Sequence, residues 1–150
     1  MRGIREHGAT LIELIISIVV ISIAASAVLG LLSGSVGRSA DAMVMAQAVS
    51  IAEAYLEEIS LKSFVDPDGV DGEGARTDFD DVDDYNGLVD NGARDQFGGA
   101  PAALAQYTVS VTVASSAALT GVPGAAAERI DVVVTAPNVT VALSGYKTQL

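Results

Sequence analysis

The side chains that could perform acid–base or nucleophilic chemistry in this sequence are almost all carboxylates. The 150 residues include 19 Asp and Glu, one histidine and no cysteine. The histidine, His7, lies in a short polar N-terminal segment, and no serine lies in a recognisable nucleophile motif. A hydrolase that uses paired carboxylates as acid and base is therefore the surviving enzymatic alternative. Because most of the carboxylates lie in a glycine-interrupted segment with poor preorganisation, we predict that the protein is not an enzyme.

The carboxylates are concentrated in residues 65–95, which contain eleven acidic residues and two arginines. Glycines interrupt any regular element there, so we predict a long, turn-rich surface loop. Clustered carboxylates suit Ca²⁺, and a Ca²⁺ site is one hypothesis; a solvated acidic surface is the alternative. The spacing does not fit an EF-hand, because Val70 occupies a ligand position. The candidate Ca²⁺ ligands are Asp66, Asp68, Asp71, Asp80, Asp81, Asp83 and Asp84. No other cofactor is expected.

Charge and hydrophobicity are distributed unevenly along the chain. The net charge is −11, with only eight scattered Lys and Arg, which argues against nucleic-acid binding because a phosphate backbone would be repelled. Half of the residues are hydrophobic, and one long apolar run lies in the first third of the chain. Since there is no cysteine, we expect the remaining small domain to be held together by helix and sheet packing alone.

The apolar run has the length of a membrane-spanning helix. Residues 14–37 contain no charged side chain. As a helix, these about 24 residues span roughly 36 Å, enough to cross a hydrocarbon core of about 30 Å. Arg2 and Arg5 precede the run, and the acidic part follows it. This asymmetry predicts a single-pass membrane helix with a cytoplasmic N-terminus and the acidic part on the other side of the membrane.

Two simple interpretations of this segment are a signal anchor and a removable secretory signal peptide. For the second, Ala25, Ser26 and Ala27 resemble a small-residue cleavage site. Glu13 argues against both. A carboxylate costs about 2.5–3.5 kcal/mol on insertion scales at the membrane centre and less near the boundary, where Glu13 lies, but neither kind of segment has a use for it. The helical pattern also continues past Ala27, so cleavage there would divide one helix.

The sequence GATLIEL at residues 8–14 resembles the processing motif of type IV prepilins, although that family usually has Phe at the position of Ala9. The resemblance implies that a prepilin peptidase cuts between Gly8 and Ala9 and methylates Ala9. It also implies that Glu13 serves assembly with other pilin subunits at an inner-membrane assembly platform. Before assembly, the resemblance implies, the helix lies in the lipid of the inner membrane with the head in the periplasm. A new α-amine is mostly cationic at neutral pH, so pairing with Glu13 of a neighbour would set the register between helices.

The sequence after Gly37 is amphipathic, and we predict that the helix continues to about Lys62. Glu58 and Lys62 lie four apart, in the order that favours a surface ion pair. Gly30, Gly34 and Gly37 form a candidate weak point, since glycine destabilises a helix by about 1 kcal/mol relative to Ala. Apolar residues recur at spacings of three and four, which predicts one buried stripe. The stripe comprises Val44, Ala48, Ile51, Ala52, Tyr55, Leu56 and Ile59.

Three segments near the C-terminus show the alternation of half-buried strands, namely residues 107–113, 129–135 and 139–143. Ala136, Pro137 and Asn138 predict a tight turn between the last two. Three antiparallel strands packed on the amphipathic stripe give an α+β head behind a long N-terminal helix. The predicted divisions are a leader at 1–8, a transmembrane assembly half of the helix at 9–37, an amphipathic half at 38–62, an acidic loop region at 63–106 and the sheet at 107–150.

Four further segments, at residues 53–59, 64–69, 79–87 and 143–146, resemble minor pilins of the mannose-sensitive haemagglutinin (MSHA) type, the MshD/PilV-like group. That resemblance implies a minor, priming or tip subunit of a cell-surface pilus with a role in adhesion or pilus biogenesis. A minor pseudopilin of a type II secretion system is the first alternative, because the N-terminal motif is shared. A membrane-anchored periplasmic binding module is the second.

Overall fold

The computed structural model describes residues 10–69 and 73–149, without the side chains of residues 33–40. The chain divides into two units, Met1–Ala40 and Asp41–Leu150. One α-helix and four strands form the framework: α1 Leu11–Ser60, β1 Val89–Asn91, β2 Thr108–Ser115, β3 Ala127–Ala136 and β4 Val139–Thr148. Short 3₁₀ turns lie at Asp83–Tyr85, Ala102–Leu104 and Gly124–Ala126. The predicted α+β fold, a long N-terminal helix with an antiparallel sheet, is confirmed.

The glycines proposed as a weak point lie within the helical backbone of α1. Gly30, Gly34 and Gly37 are all helical. A Cβ built on Gly30 would meet no atom within 4 Å, so this glycine is not required by any close approach in the described structure. The proposal that the helix bends or melts there in an assembly stays a prediction.

The part of α1 in the second unit buries the predicted stripe. Ala48, Ala52 and Ile59 are fully buried and Tyr55 is nearly so, while Val44, Ile51 and Leu56 are partly buried against the same core. The spacing of three and four residues places these side chains on one helical face, where burial of apolar area drives packing. This prediction is confirmed.

The sheet is antiparallel with the strand order β1-β2-β3-β4. Every second residue of β2 and β3 points into the core, which confirms the alternation predicted for residues 107–113 and 129–135. Ala136 pairs with Val139 across the predicted turn. Asn138 has φ 62°, which suits the third position of a type II turn that follows a proline.

The acidic segment departs from its predicted structure in two ways. It contains strand β1, which pairs with β2 and which the sequence did not indicate, because three residues are too few to show an alternation. It also supplies core residues, since Phe79, Val82, Tyr85 and Ala93 are buried. The prediction of a wholly surface loop is therefore wrong for this part of residues 63–106.

Candidate functional site

The centre of the acidic segment is a buried arginine held by two carboxylates from different elements. Arg76 donates from Nε and Nη2 to the two oxygens of Glu58 on α1, at 3.1 and 2.8 Å. Its Nη1 donates to Oδ2 of Asp90 on β1, at 2.6 Å. The Arg76 side chain is only 6% exposed. Charge-assisted bidentate pairs of this kind fix orientation as well as supplying energy.

Two tyrosines complete what we term the Arg76 cluster, which comprises Arg76, Glu58, Asp90, Tyr55 and Tyr85. The guanidinium carbon lies 4.4 Å from the ring centre of Tyr55 and 5.9 Å from that of Tyr85. The Tyr55 hydroxyl donates to Asp90 at 2.7 Å, and the Tyr85 hydroxyl donates to Glu58 at 2.8 Å. Burial, followed by these hydrogen bonds to carboxylates, raises the pKa of both tyrosines. The cluster ties the acidic segment to α1 and β1.

A cavity of about 310 Å³ adjoins this cluster, lined by Glu58, Leu61, Lys62, Arg76, Thr77, Gln96 and Phe97. The guanidinium of Arg76 at the wall of this cavity is already paired with two carboxylates, those of Glu58 and Asp90. Lys62 donates from Nζ to the backbone carbonyl of Phe79, so the predicted surface pair of Lys62 with Glu58 is wrong: Arg76 takes the carboxylate instead.

The acidic segment also gathers carboxylates into two groups that share Asp80. In the first, which we term the Asp66 group, one oxygen each of Asp66, Asp80 and Asp81 lie within 4.8 Å of one another. In the second, the Glu73 group, the same holds for Glu73, Asp80 and Asp84. Backbone hydrogen bonds fix the surroundings, since Asp84 accepts from the N–H groups of Asp80 and Asp81 at 2.9 and 3.3 Å.

Four of the seven predicted Ca²⁺ ligands thus lie in these groups: Asp66, Asp80, Asp81 and Asp84. Asp68 and Asp83 belong to neither group among the described residues, and Asp71 lies outside the described residues. Glu73 was missed by the sequence analysis, because it lies seven residues before Asp80 with no local spacing to connect them.

Three carboxylates in or near these groups, those of Glu73, Asp80 and Glu128, have a raised pKa. A hydrogen bond with Asp84 raises the pKa of Glu73 to about 7. Burial and the charges of Asp68 and Asp66 raise the pKa of Asp80. Burial, with the charges of Asp83 and Asp81, raises the pKa of Glu128 at the start of β3 to about 7. Burial or a hydrogen bond between carboxylates is thus the largest cause of each raised pKa, and the charges of neighbouring carboxylates add to it.

The N-terminus of α1 carries Glu13 in its first turn. The Glu13 N–H donates to the Thr10 carbonyl at 3.0 Å and approaches the Thr10 hydroxyl oxygen at 3.4 Å, so Thr10 caps the helix. A carboxylate in the first turn is stabilised by the helix dipole and the unpaired N–H groups. This helix-starting role of Thr10 and Glu13 was not foreseen from sequence, although Thr and Glu three residues apart are a known signal for it.

The surface of α1 beyond Glu13 is apolar and open. Residues Leu11–Leu32 have a mean hydropathy of 2.7, and none of that window is buried. By length and composition, this is a helix that can cross a membrane. Ser17, Ser22 and Ser26 each donate to the carbonyl four residues earlier, at 2.7–2.8 Å. These hydroxyls are thereby satisfied within the helix and do not require water.

A charged first turn on an exposed apolar helix invites comparison with known N-terminal segments. Residues 4–29 match the family model of the prokaryotic N-terminal methylation motif. No curated protein and no solved structure matches the chain. The match covers the segment that includes Thr10 and Glu13 and most of the candidate membrane span.

The methylation motif supports a type IV pilin-like protein, a class of structural subunits that includes pilins and pseudopilins. Gly8 and Ala9, the predicted cleavage and methylation positions, fall within the matched residues but lie outside the described residues. Glu13 falls within both. Processing by a prepilin peptidase, assembly with other pilins and membrane anchoring are what such a motif implies.

Proposed function

We propose that this chain is a type IV prepilin that is cut between Gly8 and Ala9, methylated on Ala9 and assembled through α1 into a pilus. The observation that carries the proposal is the N-terminal methylation motif at residues 4–29, with Glu13 in the first turn of a helix whose apolar surface is fully exposed. Removal of the leader leaves a single residue before Thr10, the helix cap. The new α-amine and the Glu13 carboxylate are then close to the same helix end.

The physical role proposed for Glu13 follows from its surroundings. An isolated carboxylate among aliphatic side chains is unfavourable, and so is an isolated amine. Pairing Glu13 of one subunit with the methylated amine of another removes both penalties. The remainder of the helix surface is aliphatic and slides easily, so this pair would define the axial register of the helices.

The decisive experiment for processing is the intact mass of the protein from cells with and without the prepilin peptidase. We expect loss of residues 1–8 and gain of one methyl group only when the peptidase is present. An uncut chain, or cleavage after Ala27, would overturn the proposal. The second result would identify a secretory signal peptide, and the first would favour a membrane-anchored binding module.

The role of Glu13 is tested by Glu13→Gln, which removes the charge and keeps the size. We expect processing to proceed and incorporation into sheared fibres to fall by tenfold or more, the effect of losing an ion pair of about 1.4 kcal/mol or more. Glu6→Gln is the matched control, because it removes the same charge from the leader. Equal incorporation of the two variants would contradict the pairing role.

Within the pilin class, we propose a minor subunit of an MSHA-type pilus, with a priming or tip position and a role in adhesion or pilus biogenesis. The resemblance of residues 79–87 and 143–146 to that group supports this. Residues 41–150 contain 17 acidic and five basic side chains. This charge also favours a minor subunit, because packing many identical heads of the same charge side by side is costly.

The alternative is a minor pseudopilin of a type II secretion system. Immunodetection in sheared fibres supports the pilus, whereas retention in the cell envelope supports the pseudopilin.

A further inference from the structure

The two carboxylate groups around Asp80 have the geometry of a hard-cation site. Ca²⁺ binds oxygen at about 2.3–2.6 Å, so two oxygens on opposite sides of one ion lie about 5 Å apart. The oxygens within the Asp66 group, and those within the Glu73 group, lie within 4.8 Å of one another. One ion can therefore contact every carboxylate of a group, and Asp80 belongs to both.

The second observation is a set of buried carboxylate oxygens that have no hydrogen-bond partner. In the described part of the chain these are Oε2 of Glu73, Oδ1 of Asp80 and Oε2 of Glu128. Glu73 and Asp80 are themselves members of the two groups. A buried carboxylate oxygen without a partner is strongly unfavourable, so a merely solvated acidic surface does not account for them.

Glu128 connects this observation to the core of the head. It is 8% exposed and lies on the inward face of β3 two residues before Ile130, which is fully buried. The charges that act on its carboxylate are those of Asp83 and Asp81, and Asp81 belongs to the Asp66 group. A buried side chain from the sheet, with one oxygen that has no hydrogen-bond partner, thus lies near enough to Asp81 and Asp83 for their charges to act on it.

The charge in this region is not balanced by the basic side chains of the described structure. The ion pairs that Arg76, Arg94 and Arg129 form in the described structure all go to carboxylates outside the two groups. Lys62 acts electrostatically on Asp80, but its ammonium donates to the Phe79 carbonyl. The five carboxylates of the two groups therefore carry more negative charge than Lys62 can offset.

We propose that Ca²⁺ binds at the Asp66 group and at the Glu73 group, with Asp80 as the ligand that the two groups share. An ion in the Asp66 group joins the loop after α1 to the segment that precedes β1, where Ser63 and Asp81 already form a parallel bridge. Its positive charge also offsets the field of the carboxylates on Glu128. The site is independent of fibre assembly, so it stands or falls separately from the proposed function.

The test uses the full-length chain in detergent, freed of metal with a chelator and examined by calorimetry. We expect millimolar CaCl₂ to raise Tm by about 5 °C or more, given the affinities of about 10⁻⁴–10⁻³ M common in extracellular Ca²⁺ sites. The same concentration of MgCl₂ should give a smaller shift, because Mg²⁺ demands shorter bonds and a stricter geometry.

The variants are Asp80→Asn, which neutralises the shared ligand, and Asp78→Asn, a matched control two residues away in neither group. Asp80→Asn should lose the Ca²⁺-dependent shift while its metal-free Tm rises or stays equal, and Asp78→Asn should keep the shift. If Asp80→Asn does not fold, Asp66→Asn replaces it as the variant that lacks a ligand. Titration calorimetry of the wild type with CaCl₂ measures binding directly. Absence of Ca²⁺ binding to the wild type, or an equal shift in Asp80→Asn, would refute the site.

Discussion

Replacing Arg76 by methionine removes the guanidinium that neutralises Glu58 and Asp90 while keeping most of the side-chain length. The two carboxylate side chains are 14% and 8% exposed, so water cannot fully replace the lost partner. The rings of Tyr55 and Tyr85 lose their cation in the same step. The substitution therefore isolates the contribution of charge in the Arg76 cluster.

The expected loss is about 3–5 kcal/mol, the range found when one partner of a buried ion pair is removed. A cation above the Tyr55 ring at 4.4 Å adds about 0.5–2 kcal/mol at most. Small domains have a free energy of unfolding of about 5–15 kcal/mol, so the head would keep between none and about four fifths of its stability.

The assay is urea unfolding of the full-length chain in detergent, followed by the near-ultraviolet circular dichroism of its tyrosines. With a denaturant slope of about 2 kcal/mol per molar, the midpoint should fall by about 2 M. Arg129→Met is the matched control, because Arg129 is 48% exposed and its pair with Asp131 is worth about 0.2–1 kcal/mol. If Arg76→Met cost no more than Arg129→Met, the cluster would not be what holds the acidic segment.

Two further substitutions test the sheet. Burial and nearby carboxylates raise the pKa of Glu128 from its usual 4.5 to about 7, so ionisation of Glu128 destabilises the fold increasingly as the pH rises between those values. In chelator at pH 7.5, Glu128→Gln should therefore be more stable than the wild type by about 1–3 kcal/mol, and this gain should vanish below pH 4.5. Equal pH profiles of stability for the two proteins would contradict this. A Cβ on Gly145 would lie 2.9 Å from Leu56 Cδ1, so Gly145→Val should lower the free energy of unfolding by about 1–3 kcal/mol in the same urea assay. The control is Ala142→Val on the exposed face of β4, which should change the free energy of unfolding by under about 0.5 kcal/mol.

The regular elements could be predicted because their periodicity is local. The alternation of Tyr107, Val109 and Val111 needs no knowledge of the partner strand, since inward residues recur at every second position. The buried stripe on α1 can be recognised in the sequence for the same reason, because its residues recur at spacings of three and four. β1 gave no such signal, because its pairing with β2 places it in the sheet and its own three residues do not.

The contacts of the acidic segment were beyond sequence reasoning because they join distant positions. Arg76 reaches Glu58 across 18 residues and Asp90 across 14, and nothing local selects these partners from the many acids available. The sequence does contain one local sign that this segment contributes to the core. Phe79, Val82 and Tyr85 recur every third residue among the aspartates, and all three are buried.

The way in which the acidic segment is fastened to α1 has a consequence for how the head reaches its native state. Arg76 joins the loop to the helix and to β1 by charge and hydrogen bonds, in a chain without cysteine. Formation of these bonds requires no oxidant, no disulfide isomerase and no slow thiol exchange. The head should therefore fold equally well under reducing and oxidising conditions.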